Sequence, residues 1–157
     1  MEIDRTIGKI LQGYQPACVV ITANELKIFD ELKQPVTSKQ VAKNRNLDPE
    51  ACTRLLNALT SLEIITKKNN NYHLPQVFQE FLVTGGSHSM QQWIKLSADL
   101  YPIWGQLATF IKSGSLIKNI MEMLGSDPHK MRAFTDAMHD KALKATWMIA
   151  REVPVGD

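Results

Sequence analysis

The chain has 157 residues, the size of one ordinary domain, and 44% of them are hydrophobic, enough for a core. Its 18 Lys and Arg stand against 16 Asp and Glu, a formal charge of +2 that demands no polyanionic partner. No apolar run is long enough to cross a bilayer, and the opening MEIDRTIGK has no secretory apolar region after its charges, so the expected setting is cytoplasmic with no membrane partner.

Ile3, Ile7, Ile10, Leu11 and Tyr14 recur at helical spacing, which predicts an amphipathic first helix interrupted at Gly13 and Pro16. A second helix is expected to begin close to Pro16, in the run PACVVITANELKIFDEL that reaches Leu32. Residues 17–23 are apolar nearly all round apart from Thr22, so this helix needs cover on more than one side. Either the body of one chain or a second subunit satisfies that need. Thr37 is a candidate N-cap for the next helix, with Gln40 placed to complete a capping box, and Val41 and Ala42 are its apolar face. After Leu47, Asp48-Pro49 is a strong helix start, and Cys52, Leu55, Leu56, Leu59 and Leu62 form one buried stripe. Ile64, Ile65 and Thr66 read as a strand, Asn69-Asn70-Asn71 as a turn, and Tyr72, His73 and Leu74 as the returning strand.

That order is a winged helix-turn-helix with a two-stranded wing. The stronger helix offers one cation, Arg54, against Asp48 and Glu50, with Thr53, Asn57, Thr60 and Ser61 also exposed. Lys39, Lys43, Arg45, Lys67 and Lys68 form either a phosphate-binding rim or an ordinary solvated surface, so a DNA-binding transcription regulator stands as the alternative reading.

Val77, Phe78, Phe81 and Leu82 make a short helix broken by Gly85-Gly86-Ser87. A long helical stripe follows through Met90, Trp93, Ile94, Ser97, Leu100, Tyr101, Trp104, Leu107, Ala108 and Ile111, kinked or divided at Pro102 and ended by Gly114. Ile117, Ile120, Met121 and Leu124 mark a short helix, and Asp127-Pro128 starts a last one carrying Met131, Phe134, Met138, Ala142, Ala145 and Ile149, widened by Trp147 and Met148 and stopped by Pro154 and Gly156. The expected class is mainly α: N-terminal helices and winged core over residues 1–86, then a C-terminal helical hairpin over 87–157. Cys18 and Cys52 read as buried free thiols, and His73, His88, His129 and His139 have no metal-ligand spacing. His139 and Asp140 are adjacent on a helix and do not face each other, so no set of catalytic roles assembles.

Three segments, GYQPACVVITANELKIFDEL, TSKQVAKNRNLDPEACTRLLNALTSLEII and NNNYHLPQVFQEFLV, resemble the N-terminal dimerisation domain of S-adenosylmethionine-dependent small-molecule O-methyltransferases, the plant caffeate and bacterial polyketide group. LYPIWGQLATFIKSG and GSDPHKMRAFTDAMHDKA extend the likeness, which places family residues at Trp104, Leu107, Gly114, Phe134 and Met138. Glu63 departs from it, standing where the family usually has Gly, and must find another cap or accept positive φ. The resemblance implies a homodimer joined through the first helices and a winged module that no longer reads DNA. It implies that Phe134 and Met138 face an acceptor pocket, with Trp93, Tyr101 and Trp104 as further candidates, Trp104 being read first as core. It also implies a small aromatic or polyketide-like acceptor. In the family a Gly-rich cofactor loop follows shortly after the position of Asp157, so S-adenosylmethionine and the catalytic base are expected on a Rossmann-like domain outside this chain, and no cofactor on the chain itself.

Overall fold

In the computed structural model the described residues are 2–114, 128, 131–139 and 142. They fall into two compact units, Met1–Gly86 and Ser87–Asp157.

Unit 1 begins with helix α1 (Glu2–Gln12), then α2 (Tyr14–Glu25) and the single turn α3 (Ile28–Glu31). Pro16 lies inside α2 rather than at its start, because a proline in the first turn gives up only an N–H that has no helical partner. Gly13 keeps helical angles (φ −58, ψ −23) and joins α1 to α2 with a minimal break. The second helix does not run through to Leu32. Lys27 takes a left-handed conformation (φ 55), Leu26 N–H returns to the Thr22 carbonyl at 3.0 Å, and α3 starts afresh.

Strand β1 (Val36–Thr37), α4 (Ser38–Arg45), α5 (Pro49–Ser61), β2 (Thr66–Lys68), β3 (Asn71–His73) and α6 (Gln76–Leu82) complete the winged core. Thr37 caps α4, its Oγ1 accepting Gln40 N–H at 3.3 Å. The capping box is only half made, since the Gln40 side chain donates to Asn44 Oδ1 at 2.7 Å instead of reaching back. Asn46 (φ 53) ends α4, and Leu47 N–H reaches the Ala42 carbonyl at 2.9 Å in a Schellman closure. Asp48 accepts Ala51 N–H at 2.7 Å with Pro49 at the first helical position. Val41, Ala42, Cys52, Leu56 and Leu59 are buried between α4, α5 and their neighbours, and Ile28, Phe29, Leu32, Ile65, Tyr72 and Leu74 close the core.

The wing differs from its expectation in two ways. The sheet has three strands in the order β1-β3-β2, because Val36 and Thr37 pair with Tyr72 and Asn71. The hairpin is also shifted: Thr66 faces His73 and Lys68 faces Asn71, so the turn is Asn69-Asn70, both at positive φ (49 and 63). Ile64 and Ile65 precede the strand, and Ile65 is core.

Unit 2 contains α7 (Gln91–Trp104), α8 (Leu107–Ser113) and a helical stretch over residues 131–139. Ile94, Leu96 and Ala137 are buried in it. Pro102 stands in the last turn of α7, and the division falls just after it, at Gly105-Gln106, where Gln106 N–H turns back to the Ile103 carbonyl at 2.9 Å. Gly114 (φ 62) caps α8. The helix expected at Ile117, Ile120, Met121 and Leu124, and the end of the last one at Ala145, Trp147, Met148, Ile149, Pro154 and Gly156, lie outside the described residues. Among the described residues no helix is long and apolar enough to cross a membrane.

Glu63 accepts positive φ (59), with its N–H on the Thr60 carbonyl at 3.0 Å and Ile64 N–H on the Leu59 carbonyl at 3.2 Å. A left-handed non-glycine residue costs roughly 1–2 kcal/mol, part of which glycine gives back in unfolded-chain entropy. Glu63→Gly therefore stabilises unit 1 by about 0.5–1 kcal/mol, read as a rise in the urea midpoint with unchanged slope.

Candidate functional site: an uncovered apolar face and an aromatic wall

In a winged helix that reads DNA, the second helix aims cations and amides outward. Here α5 keeps those groups at home. Arg54 pairs with Glu50 one turn back on the same exposed helix. Thr53 Oγ1 lies 2.8 Å from both Ser38 Oγ and the Pro49 carbonyl. Thr60 and Ser61 donate to the Leu56 and Asn57 carbonyls at 2.8 and 3.1 Å. Asn57 Oδ1 accepts both Tyr72 O–H at 2.8 Å and Lys67 Nζ at 2.9 Å, and the Lys67 ammonium sits 4.8 Å from the Tyr72 ring centre. Arg45 is paired with Glu31 at 2.8 Å, and Glu31 also accepts Asn44 Nδ2 at 2.6 Å. The amide best placed to read a base instead joins α5 to its own wing.

The uncovered surface lies at the other end of unit 1. Ile3, Ile7, Ile10, Leu11 and Tyr14 are 76, 51, 69, 67 and 52% exposed. Their spacing puts them on one stripe of α1 running into α2. In the apolar run of α2, Ala17 and Thr22 are exposed, Cys18, Val19, Val20 and Ile21 are half-buried, and burial is complete only at Ala23. The described residues therefore cover the apolar run of α2 only in part. Burying an aliphatic side chain is worth about 1.5–3 kcal/mol, so the four of this stripe, with Tyr14 beside them, are a large reserve of unburied apolar surface.

The candidate pocket residues belong to unit 2. Phe134 and Met138 are half-buried, four residues apart, on one face of the stretch over 131–139. Trp93 is half-buried early in α7, whereas Tyr101 and Trp104 are 43 and 68% exposed near its end. Trp104 is thus not core. It is the last residue of α7, beyond Pro102, and with Tyr101, Leu107 and Ile111 it continues an apolar stripe that the described residues leave uncovered. The stripe's periodicity is correct; its burial, assumed from periodicity, stops after Leu96. Cys52 is buried with its thiol 3.7 Å from the Ser38 carbonyl, and burial pushes that thiol above its ordinary 9.0, while Cys18 is only half-buried. His88 and His139 are exposed, and His129 and Asp140 lie outside the described residues. No group of three His, Cys, Asp or Glu that could hold a metal occurs among the described residues. The described glycines stand in or beside helices and none follows a strand, so these residues do not fit an S-adenosylmethionine cradle and no donor chemistry is assigned to them.

The polar side chains of α5 named above are thus engaged within unit 1, and one of them, Asn57, holds the wing. Residues 9–84 match the O-methyltransferase dimerisation domain family. The chain is 32% identical over 109 residues to the S-adenosyl-L-methionine-dependent methyl transferase PigF of a Serratia species, a match covering 66% of this chain and 30% of that protein. In fold it is similar to an O-methyltransferase family protein from Burkholderia thailandensis, with TM-score 0.80 and 19% identity over 99% of this chain and 46% of that one. It is likewise similar to human N-acetylserotonin methyltransferase, solved in complex with SAM, with TM-score 0.74 and 19% identity over 89% of this chain and 46% of that one. The chain thus spans under a third of PigF and under half of either solved chain.

Asn57→Ala takes the acceptor from the buried Tyr72 hydroxyl and returns the exposed Lys67 ammonium to water. A buried donor left unsatisfied costs about 1–3 kcal/mol, and Tyr72→Phe in the Asn57→Ala background recovers part of it in a double-mutant cycle followed by urea unfolding.

Proposed function

We propose that this chain is the pairing and acceptor-walling part of an S-adenosylmethionine-dependent O-methyltransferase acting on small aromatic or polyketide-like molecules. Two copies join through the stripe of α1 and the open side of α2 into a homodimer. The observation that carries this reading is the exposed run Ile3, Ile7, Ile10, Leu11 and Tyr14, standing at the start of a segment that matches a dimerisation family. A second copy supplies an identical stripe, so a two-fold interface is self-complementary, with the same residues meeting from both sides.

Phe134 and Met138, with Trp93 and Tyr101, wall the acceptor site from unit 2. Aromatic rings and a flexible, polarizable thioether suit a flat, largely apolar acceptor and exclude water from it. Trp104 stands as the outermost of these candidates, at the open end of α7. The donor supplies the methyl group when bound, and its site is assigned to the part of such an enzyme that these residues do not match.

Light scattering on the purified chain at micromolar concentration gives twice the mass of one chain, and Ile10→Glu places a carboxylate in the stripe and yields the single-chain mass with retained helical signal. A monomer from the unmodified chain overturns the pairing. In a longer enzyme carrying this chain, Met138→Ala raises the acceptor KM or changes acceptor preference by about three- to ten-fold, equivalent to roughly 1 kcal/mol of lost contact, with little change in melting temperature. Loss of folding with unaltered kinetics in the surviving protein makes Met138 a core residue instead.

A further inference from the structure

The last stretch of unit 1 is tied three times, at five-residue intervals, to one short region around α3. Leu74 N–H donates to the Leu32 carbonyl at 2.8 Å. Gln79 Nε2 donates to the Lys33 carbonyl at 3.3 Å and to the Leu74 carbonyl at 2.8 Å. Thr84 then spends both its N–H and its hydroxyl on Asp30, reaching Oδ1 and Oδ2 at 2.8 Å each. Hydrogen bonds to an ionised carboxylate are shorter and stronger than neutral ones, and two on one residue fix orientation as well as distance.

Directly beyond Thr84 the backbone makes a turn through two glycines, the second of which has no room for a side chain. Gly85 has φ 78, and Gly86 N–H returns to the Val83 carbonyl at 3.0 Å. A Cβ on Gly86 would stand 2.3 Å from the Glu80 carbonyl oxygen and 2.8 Å from its carbon, so the backbone presses against the end of α6 with no room for a side chain. Unit 1 ends at this residue. A flexible tether leaves its amides to water; this segment commits them to specific acceptors.

We infer that residues 83–86 form a latched elbow, with Asp30 as the latch that holds the end of unit 1 against the region around α3. The core ties at Leu74 and Gln79 hold the strap, and the Asp30–Thr84 pair holds its tip. Thr84 is exposed and Asp30 half-buried, so this pair opens by a local event that leaves the core closed. Asp30 is a positioning residue and the elbow a conformational device separate from the pairing face.

Amide hydrogen exchange on the 157-residue chain tests this. In the unmodified chain the Thr84 and Gly86 amides exchange at least about ten-fold slower than unstructured ones. Asp30→Ala speeds Thr84 at least about ten-fold while Leu62, bonded within the last turn of α5, stays within about two-fold, and Thr84→Ser, which keeps both donors, behaves as the unmodified chain. A Thr84 amide already exchanging at the unstructured rate overturns the elbow without any variant. Unchanged exchange in Asp30→Ala, or a parallel rise at Leu62, overturns the latch.

Discussion

A helix face that its own chain leaves in water sets the terms for this protein. Hydrophobic burial is the main favourable term in folding, and five large aliphatic and aromatic side chains exposed on one stripe leave that term unspent. The stripe on α1 is continuous, unbroken by charge, and carried on a helix that touches the rest of unit 1 chiefly through α2. The winged core behind it is closed: Phe29, Leu56, Leu59, Tyr72 and Leu74 are fully enclosed. One part of the unit encloses its own apolar side chains and the other leaves them exposed.

In the winged body several groups that could face a groove are engaged within the unit. Asn57 occupies an exposed position of the helix that would enter a groove, but its oxygen is the shared acceptor of Tyr72 and Lys67. An amide so engaged has no acceptor to offer a base edge, and a lysine held against an aromatic ring is a poorer phosphate ligand than a free one. Arg45 is likewise drawn back to Glu31. What holds the wing firm also quiets the face.

Much of this was legible in the residues because caps and stripes are local. Thr37, Asp48-Pro49, Gly114 and the leucines of α5 act within one or two turns, and each does what its chemistry dictates. Glu63 was legible as an exception and meets it by taking positive φ. Strand β1 was not legible: two residues carry no alternation, and Thr37 reads first as a cap. The fate of Trp104 was not legible either, because periodicity reports which residues share a face and is silent on what, if anything, lies opposite. The candidate pocket was visible only as residue types at family positions. Asn57 was seen as exposed, but its tie to the wing depends on a neighbour fifteen residues away across the hairpin.

Thr37 holds two posts at once. It is the last residue of β1, paired with Asn71, and the cap whose hydroxyl oxygen anchors the start of α4. Sheet and helix therefore share a single hinge pin with no slack residue between them. Fraying cannot travel into one without loosening the other, and the small sheet, too short to persist by itself, inherits the cooperativity of the helical body to which it is riveted.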